Sequence, residues 1–316
     1  MYLQSNQYMY LGNSGSTDPY ILNSGAADKF QLNATGGSSA GLLAYYAPAT
    51  LTGSGKVVLG GPGNYLGYYG EGYFINTAGH TIEGGGAIYA KVVNEGQITA
   101  NNGVLTISAP ITGSGNVGVA DNATLQVNST LQTGNFTMSR LAALNVASGY
   151  YLDLKGNYSF AQVDESKWTW GSLTMLQMSG GGLFQALEVG SEDLGAVLGG
   201  FSNNFDLVKL SLVGAGTYAY LNDAIDNENR HSPEALYADA LWVDPDATLN
   251  LFGKHLYVLK DGLPYLVTIA DDRASWLGGG HIIDESISVT PLPSTLLLLF
   301  SGLMGLWALG RRSRKT

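Results

Sequence analysis

Asp223, Asp226 and Glu228 are three acidic residues close together in the sequence, and carboxyl groups at this spacing are candidates for catalysis or metal binding. Glycoside hydrolysis uses two carboxyl groups, and calcium takes about six to eight oxygen ligands, so both roles are open to them. Their spacing does not complete an EF-hand loop, and the glycine of its turn is missing. We therefore predict a solvated acidic loop, keep these residues as calcium candidates, and expect no cofactor.

Two other motifs resemble catalytic loops without completing them. Residues 53–56 read Gly-Ser-Gly-Lys, like the end of a phosphate-binding loop, but Val57 replaces the Ser or Thr that would hold magnesium. Residues 37–41 match the Gly-x-Ser-x-Gly pattern of hydrolases, which needs a strand before it and a helix after it. The four histidines have no metal-ligand spacing, and we expect surface or capping roles for them: His80, His231, His255 and His281. The motifs thus predict that the protein is not an enzyme.

The composition indicates a folded, repetitive protein. Of 316 residues, 44 are Gly and 13% are charged, against roughly 7% Gly and roughly 25% charged residues in ordinary soluble domains. Hydrophobic residues make up 45%, which excludes a disordered polar chain, and no Gly-X-Y period suggests collagen. The absence of cysteine excludes disulfides, thiolate metal sites and cysteine catalysis.

The distribution of charge excludes nucleic acid as a partner. The chain has 15 basic and 25 acidic residues, and four of the basic ones lie in the last six positions. Residues 1–310 therefore carry 11 basic and 25 acidic side chains, a net charge of −14. A body of this charge repels a phosphate backbone, and no basic stripe runs along it.

A nearly literal internal repeat predicts a coil of strands. Residues 51–57 (LTGSGKV) recur as residues 111–117 (ITGSGNV), 60 positions later, which would be three solenoid turns of about 20 residues. Short alternating apolar runs read as strands, and they are too short to be stable as isolated hairpins. They lie at 74–75, 81–82, 92–93, 104–107, 124–127 and 141–146. We predict an all-β fold, a right-handed parallel β-helix with Gly or Asn at its corners.

The second half of the chain has a more irregular texture but keeps strand signals, at 183–189, 205–213 and 236–243. We assign 1–165 to β-helix repeats, 166–262 to further turns or a small β domain, and 263–290 to a linker. The polar stretch at 222–232 is expected to leave the coil as a loop. The alternative for the second half is an antiparallel β-sandwich.

Residues 291–316 differ from everything before them. Ser294 to Gly310 are 17 uncharged, Leu-rich residues, which as a helix span about 26 Å and fit a thin bilayer. Because basic residues stay cytoplasmic, the acidic body is expected on the other side of the membrane. The transmembrane helix is marked by Ser294, Leu297, Gly302, Gly305, Trp307 and Gly310, and the basic stop by Arg311, Arg312, Arg314 and Lys315.

Immediately before this helix stands Pro291-Leu292-Pro293, which breaks secondary structure and keeps the junction extended. The order of motif, helix and basic end resembles the PEP-CTERM sorting signal of Gram-negative bacteria, in the variant written V-P-L-P-A. Thr290 and Ser294 replace the Val and the Ala of that variant. A GPI-anchor signal differs because its tail ends apolar, without a basic cluster.

The resemblance implies export, transient anchoring in the inner membrane with the body in the periplasm, and cleavage near the Pro-Leu-Pro motif by the transpeptidase exosortase. The product would reach the cell surface or the extracellular matrix. Residues 1–6 contain neither a basic region nor an apolar stretch of the kind that begins a secretory signal. Since a sorting signal of this type acts on exported proteins, we expect that the chain is truncated at its N-terminus.

Tyrosine is concentrated near the start, with 10 of 19 residues in the first 73 positions, including Tyr45-Tyr46 and Tyr68-Tyr69. Exposed rings would suit sugar stacking or self-association, whereas stacking inside the coil is the interpretation that we favour. The sequence predicts a structural or adhesive protein of the bacterial envelope or biofilm matrix, with extracellular polysaccharide as a candidate partner. The alternative is a polysaccharide-active enzyme on a β-helix scaffold.

Overall fold

The computed structural model describes residues 1–12, 20–227 and 233–285. Within them the chain is all-β, with two long sheets of 17 and 13 strands. Residues 1–284 form one compact unit, and the second unit, 285–316, lies outside the described residues apart from Glu285. The predicted sorting motif, transmembrane helix and basic stop therefore fall outside them. In the described part, every helix is too short or too polar to cross a membrane.

The described strands are numbered in chain order, and four short 3₁₀ helices accompany them. The strands are β1 Tyr2–Gln4, β2 Gln7–Leu11, β3 Tyr20–Asn23, β4 Lys29–Asn33, β5 Ala40–Tyr45, β6 Pro48–Gly53, β7 Lys56–Tyr69, β8 Tyr73–Asn76, β9 Thr81–Ile88, β10 Val92–Asn94, β11 Gln97–Ile107, β12 Ile111–Thr112, β13 Asn116–Val119, β14 Thr124–Val127, β15 Leu131–Thr133, β16 Phe136–Met138, β17 Ala143–Val146, β18 Tyr151–Leu154, β19 Tyr158–Phe160, β20 Trp168–Trp170, β21 Met175–Met178, β22 Phe184–Glu188, β23 Ser191–Glu192, β24 Leu207–Leu212, β25 Tyr218–Asn222, β26 Glu234–Val243, β27 Thr248–Asn250, β28 His255–Lys260, β29 Leu263–Leu266 and β30 His281–Ile283. The 3₁₀ helices are Glu165–Lys167, Leu198–Phe201, Ile269–Asp271 and Ser275–Leu277.

Parallel pairing between successive turns coils the chain into three faces. The turns in the middle of the chain each contribute one strand to each face: β13, β16 and β19 pair on face 1, β14, β17 and β20 on face 2, and β12, β15 and β18 on face 3. The strands β7, β9 and β11 bend at a corner and cover faces 1 and 2 together, with a register shift between Gly60 and Tyr65. These bent strands join faces 1 and 2 into the larger sheet. The arrangement of the two parallel sheets is consistent with a β-helix-like fold.

Strand registers explain the internal repeat. On face 1, one column takes a single residue from each of four successive turns: Val57, Ile82, Ile98 and Val117. The predicted division of the repeat into three turns is therefore confirmed, although these turns differ in length. In the repeat, Ile111 corresponds to Leu51. On face 3, however, the residue three turns before Ile111 in the same column is Ala49. The repeat is thus in register on one face and out of register on another.

The core is a set of apolar columns inside the coil. Because side chains alternate in direction along a strand, every second residue points inward, and parallel stacking places these residues above one another. The column of Val57 continues through residues that are at most 2% exposed: Phe136, Tyr158, Leu187 and Leu221. Phe136 and Tyr158 stack with ring centroids 5.7 Å apart. Burial of these columns stabilises strands that would be unstable singly.

A buried polar ladder occupies the corner between faces 3 and 1. Asn76 and Asn94 are register partners, both fully buried, and Asn76 Nδ2 donates to Asn94 Oδ1 at 2.7 Å. His80 is also fully buried, with Nδ1 2.7 Å from Asn76 Oδ1 and Nε2 3.4 Å from Asn23 Nδ2. The expectation of a surface or capping role for His80 is therefore wrong. Its two ring nitrogens fit a neutral imidazole, one donating and one accepting.

The second half continues the same sheets. Its strands pair in parallel, as β21 with β24, β24 with β26 and β26 with β28, which is not the antiparallel sandwich of the alternative. Two antiparallel pairs occur among the described strands, β23 with β26 and β28 with β29. Successive turns are longer in this half, as the spacing of Leu176, Leu210 and Leu241 in one column shows.

The segment 263–284 is not the linker that the sequence suggested. Strand β29 folds back on β28 through a two-residue turn at Asp261 and Gly262, both with positive φ, as a type I′ hairpin requires. Val267, Leu277 and Ile282 then add to the core. The segment covers the free edge of β28, so it belongs to the body because it buries apolar side chains and protects an edge strand.

Candidate binding surface

Eight tyrosines gather on and beside the outer surface of face 2, in the first four turns. Six of them lie on strands β2, β5 and β7, and the other two, Tyr46 and Tyr89, directly follow β5 and β9. We call this set the tyrosine surface: Tyr8, Tyr10, Tyr45, Tyr46, Tyr65, Tyr68, Tyr69 and Tyr89. Six of the eight are 43% to 56% exposed. Stacking inside the coil is thus wrong for these residues, which lie outside it.

One row of the tyrosine surface crosses the turns through Tyr65. This ring lies against the sheet over two glycines, since a Cβ on Gly41 or Gly67 would come within 2.8 or 2.9 Å of it. Tyr65 contacts Tyr8 on one side, with centroids 6.3 Å apart, and Tyr89 on the other, at 5.7 Å. Burial raises the pKa of Tyr65. The glycines let the ring lie flat, which fixes the row to the scaffold.

A second row contains Tyr10, Tyr45, Tyr46 and Tyr69. Tyr45 and Tyr69 are register partners on β5 and β7, and their rings stack at 5.0 Å with an interplanar angle of 20°. Tyr10 meets Tyr45 edge-on at 5.7 Å, and Tyr46 meets Tyr69 edge-on at 5.1 Å. A hydrogen bond with Tyr69 raises the pKa of Tyr46. Mutual contacts of this kind hold aromatic rings in fixed orientations on an exposed surface.

A groove of about 450 Å³ adjoins the two rows. Its lining comes from the corners between faces 2 and 3 in three successive turns, at residues 68–72, 89–91 and 108–110. Tyr68 and Tyr89 stand in it at 53% and 50% exposure, and Glu71 and Lys91, also exposed, supply one charge of each sign. Since the three corners stack along the coil axis, the groove runs along that axis for about 10 Å.

Of the predicted solvated acidic residues, Asp226 is exposed, whereas Asp223 has a charged partner. Asp223 Oδ2 accepts a hydrogen bond from Lys254 Nζ at 2.6 Å, and the two side chains are 22% and 30% exposed. Glu228 and His231 lie outside the described residues, so the structure describes only part of the calcium candidate set. Among the residues that it does describe, no three His, Cys, Asp or Glu side chains lie together as metal ligands would.

Two buried carboxyl groups lie beside this loop, and no sequence signal marked them. The first, Glu188, is 1% exposed and accepts hydrogen bonds from the main-chain N–H groups of Ala224 and Ile225, at 2.9 and 2.7 Å, and from Asn222 Nδ2 at 2.7 Å. Burial raises the pKa of Glu188 despite these bonds. Residues 222–225 are therefore fastened to the coil by one carboxyl group.

The second of these groups, Glu234, is 6% exposed and accepts from the main-chain N–H of Asn227 at 2.8 Å. Burial, reinforced by the nearby carboxylates of Asp223, Asp226 and Glu188, raises the pKa of Glu234 to about 8. At neutral pH this carboxyl group is mostly protonated. Glu188 and Glu234 are far apart in the sequence, so no local motif could have identified them as neighbours.

A histidine of the C-terminal turns also has a partner that the sequence did not suggest. His255 Nδ1 lies 2.5 Å from Asp193 Oδ2, and Tyr257 donates to Asp193 Oδ1 at 2.8 Å. Burial by itself would raise the pKa of Asp193, but the hydrogen bonds with His255 and Tyr257 lower it below its usual value. The imidazole is about half exposed, as expected for a surface histidine, and the contact fastens the excursion at 189–206 to β28.

The two motifs that resembled catalytic loops are parts of the coil. Lys56, at the end of the Gly-Ser-Gly-Lys stretch, begins β7 and pairs with Glu83 Oε1 at 2.7 Å. Ser39 is followed directly by β5, where the hydrolase pattern needs a helix. Neither geometry matches its motif.

Comparisons with known proteins found no family model, no curated protein and no solved structure that matches this chain.

Proposed function

We propose that this protein is an exported structural or adhesive component of a Gram-negative cell envelope or biofilm matrix. In this proposal the coil is a right-handed β-helix, since crossovers between parallel strands of one sheet are right-handed in nearly all proteins. Its C-terminal segment anchors it in the inner membrane until exosortase cleaves near Pro291 to Ser294. The body is then released to the cell surface or the matrix.

The observation that carries the adhesive role is the tyrosine surface. Ordinary monomers rarely display large clustered aromatic patches, and such patches commonly mark interaction sites. Here Tyr65 lies over Gly41 and Gly67, and the rings of the second row contact one another, which restricts their motion. Binding to a surface that is ordered beforehand loses less conformational entropy. A rigid coil with an aromatic outer surface suits association better than turnover.

Sorting is tested by the chemistry of the C-terminus. Mass spectrometry of the protein recovered from the surface and medium of its native host is expected to find a C-terminus near Pro291 to Ser294. The change Pro291→Ala with Pro293→Ala should leave the protein in the membrane with Thr316 still attached. As a control, Thr290→Val with Ser294→Ala restores the V-P-L-P-A pattern and should be processed.

An intact Thr316 on the unaltered surface protein would contradict the sorting proposal. Adhesion is tested separately, by comparing surface retention and matrix attachment of cells that carry the unaltered protein or a variant with Tyr45→Ala and Tyr69→Ala. Attachment should fall while processing of the C-terminus stays unchanged. Equal attachment of both strains would contradict the adhesive role.

The alternative function, a polysaccharide-active enzyme, has one feature in its favour. Glu234 has a pKa raised to about 8, which would keep it protonated as a general acid must be. It is only 6% exposed, however, and bonded to the main chain of Asn227. Loss of glycan turnover in Glu234→Gln with Glu188→Gln would support the enzyme. Unchanged matrix glycan in that variant would support the scaffold.

A further inference from the structure

We infer that the groove beside the tyrosine surface binds a neutral, linear polysaccharide whose chain lies along the coil axis. This inference rests on the proposed adhesive function and names its ligand class. Residues 68–72, 89–91 and 108–110 are equivalent corners of three successive turns, so the groove crosses the strands and repeats about every 4.8 Å. That repeat is close to the length of one pyranose residue in an extended chain.

The lining of the groove has the chemistry of a saccharide site. Tyr68 and Tyr89 present exposed rings whose apolar faces can stack on the C–H faces of sugar rings. Glu71, Lys91 and Ser108 stand beside them, exposed, and supply donors and acceptors for hydroxyl groups. A few polar groups around an aromatic lining are the usual composition of a small-molecule or saccharide site.

The charge of the protein favours a neutral polymer over an anionic one. The opposite charges of Glu71 and Lys91 cancel within the groove, and residues 1–310 carry a net charge of −14. A polyanion such as alginate would be repelled by the body as a whole, at a range set by the salt concentration. A neutral polymer meets no such repulsion. The concave shape also favours a thread-like ligand over a second copy of the protein, which needs a broad complementary face.

The aromatic surface continues beyond the groove. Tyr89 contacts Tyr65, and Tyr65 contacts Tyr8, so rings follow one another over the turns that precede the groove. A polymer that leaves the groove toward β2 would therefore meet further rings. Several weak stacking contacts on one rigid support add up to a stable attachment, because the later contacts form at high effective concentration.

The test is affinity electrophoresis of the full chain through native gels that contain a neutral polymer, dextran or hydroxyethyl cellulose, or the anionic polymer alginate. A nonionic detergent without a sugar headgroup keeps the C-terminal segment in solution. We expect retardation by at least one neutral polymer and none by alginate. Tyr68→Ala with Tyr89→Ala should lower the association constant about tenfold, since loss of about 1.4 kcal/mol of stacking corresponds to that factor.

Two variants keep this result interpretable. Tyr68→Phe with Tyr89→Phe retains the ring faces and should bind nearly as well as the unaltered chain. Tyr150→Ala removes a 38% exposed tyrosine outside the groove and should change nothing. Far-UV circular dichroism should be the same for all variants, because the altered side chains are exposed.

Three results would overturn the inference. The first is retardation by alginate alone or by no polymer, and the second is unchanged retardation of the double alanine variant. The third is concentration-dependent self-association that this variant loses, which would identify a second copy as the occupant. If any of them occurs while surface sorting and Tyr45- and Tyr69-dependent attachment persist, the proposed function stands without this ligand.

Discussion

The buried His80 should make stability fall as the pH drops below neutrality. Burial lowers the pKa of His80 from 6.5 to about 4, so between these values the unfolded chain binds a proton that the folded chain excludes. Its neutral form contributes stability that is full above pH 6.5 and is lost as the pH falls toward 4. This shift in the pKa of His80 lowers the free energy of unfolding by about 3 kcal/mol in total, and by about 2 kcal/mol at pH 5.

Glu234 should act in the opposite direction. Its pKa is raised from 4.5 to about 8, so the folded chain keeps a proton that the unfolded chain loses, and stability falls as the pH rises through this window. Between pH 5 and pH 8 the loss should be about 3 kcal/mol. The two effects partly cancel in the unaltered protein, so each has to be measured by difference.

The assay is urea unfolding, followed by far-UV circular dichroism, at several pH values from 5 to 8. His80→Gln keeps a donor and an acceptor between Asn76 and Asn23 but cannot titrate. Relative to it, the unaltered chain should lose about 2 kcal/mol between pH 7.5 and pH 5. Glu234→Gln is the matched variant for the opposite slope. If the profile of His80→Gln runs parallel to that of the unaltered chain, His80 is not the buried base described above.

Three further predictions concern the coil itself. Gly84→Ala should lower the free energy of unfolding by about 3 kcal/mol or more, because φ is +117° and a Cβ would lie 2.0 Å from a main-chain oxygen of the preceding turn. Gly61→Ala, where φ is +136° but the space around a Cβ is open, should lower it by about 1 kcal/mol, and equal losses would refute the clash. In urea unfolding, Leu125→Ala removes a core side chain and should lower the free energy of unfolding by about 2 to 5 kcal/mol. Leu141 is 56% exposed, so Leu141→Ala should change it by no more than about 0.5 kcal/mol, and similar values for both variants would contradict the assignment of the core. Deletion of Leu263–Leu266 uncovers the edge of β28 and should produce oligomers in size-exclusion chromatography, where an unchanged elution volume would show that the edge needs no cover.

Much of the strand pattern was predictable from the sequence. Alternating runs such as 124–127 coincide with strand β14, because alternation in a short segment requires one face in the core and one in solvent. Asn122 and Gly113 take positive φ at corners, as their residue types favour. The sequence also led to an incorrect assignment at 263–284, where β29 and two 3₁₀ helices pack onto the body.

The candidate site was only partly predictable. The pairs Tyr45-Tyr46 and Tyr68-Tyr69 drew attention to the right residues, but not to the side of the sheet on which they lie. A slip by one position in register moves a side chain to the other face, and register depends on turn lengths that change along the coil. The glycines below Tyr65 come into contact with it only through this register.

Composition, period and local turn chemistry are enough to predict a repetitive all-β chain with parallel turns and an apolar, basic-ended C-terminal segment, because these signals act between near neighbours in the sequence. They do not predict that the tyrosines form rows on the outside, that His80 is buried, or that Glu188 and Glu234 share one site. Burial, pKa and ring contacts depend on residues one or more turns away, and those neighbours are set by the stacking of the whole coil.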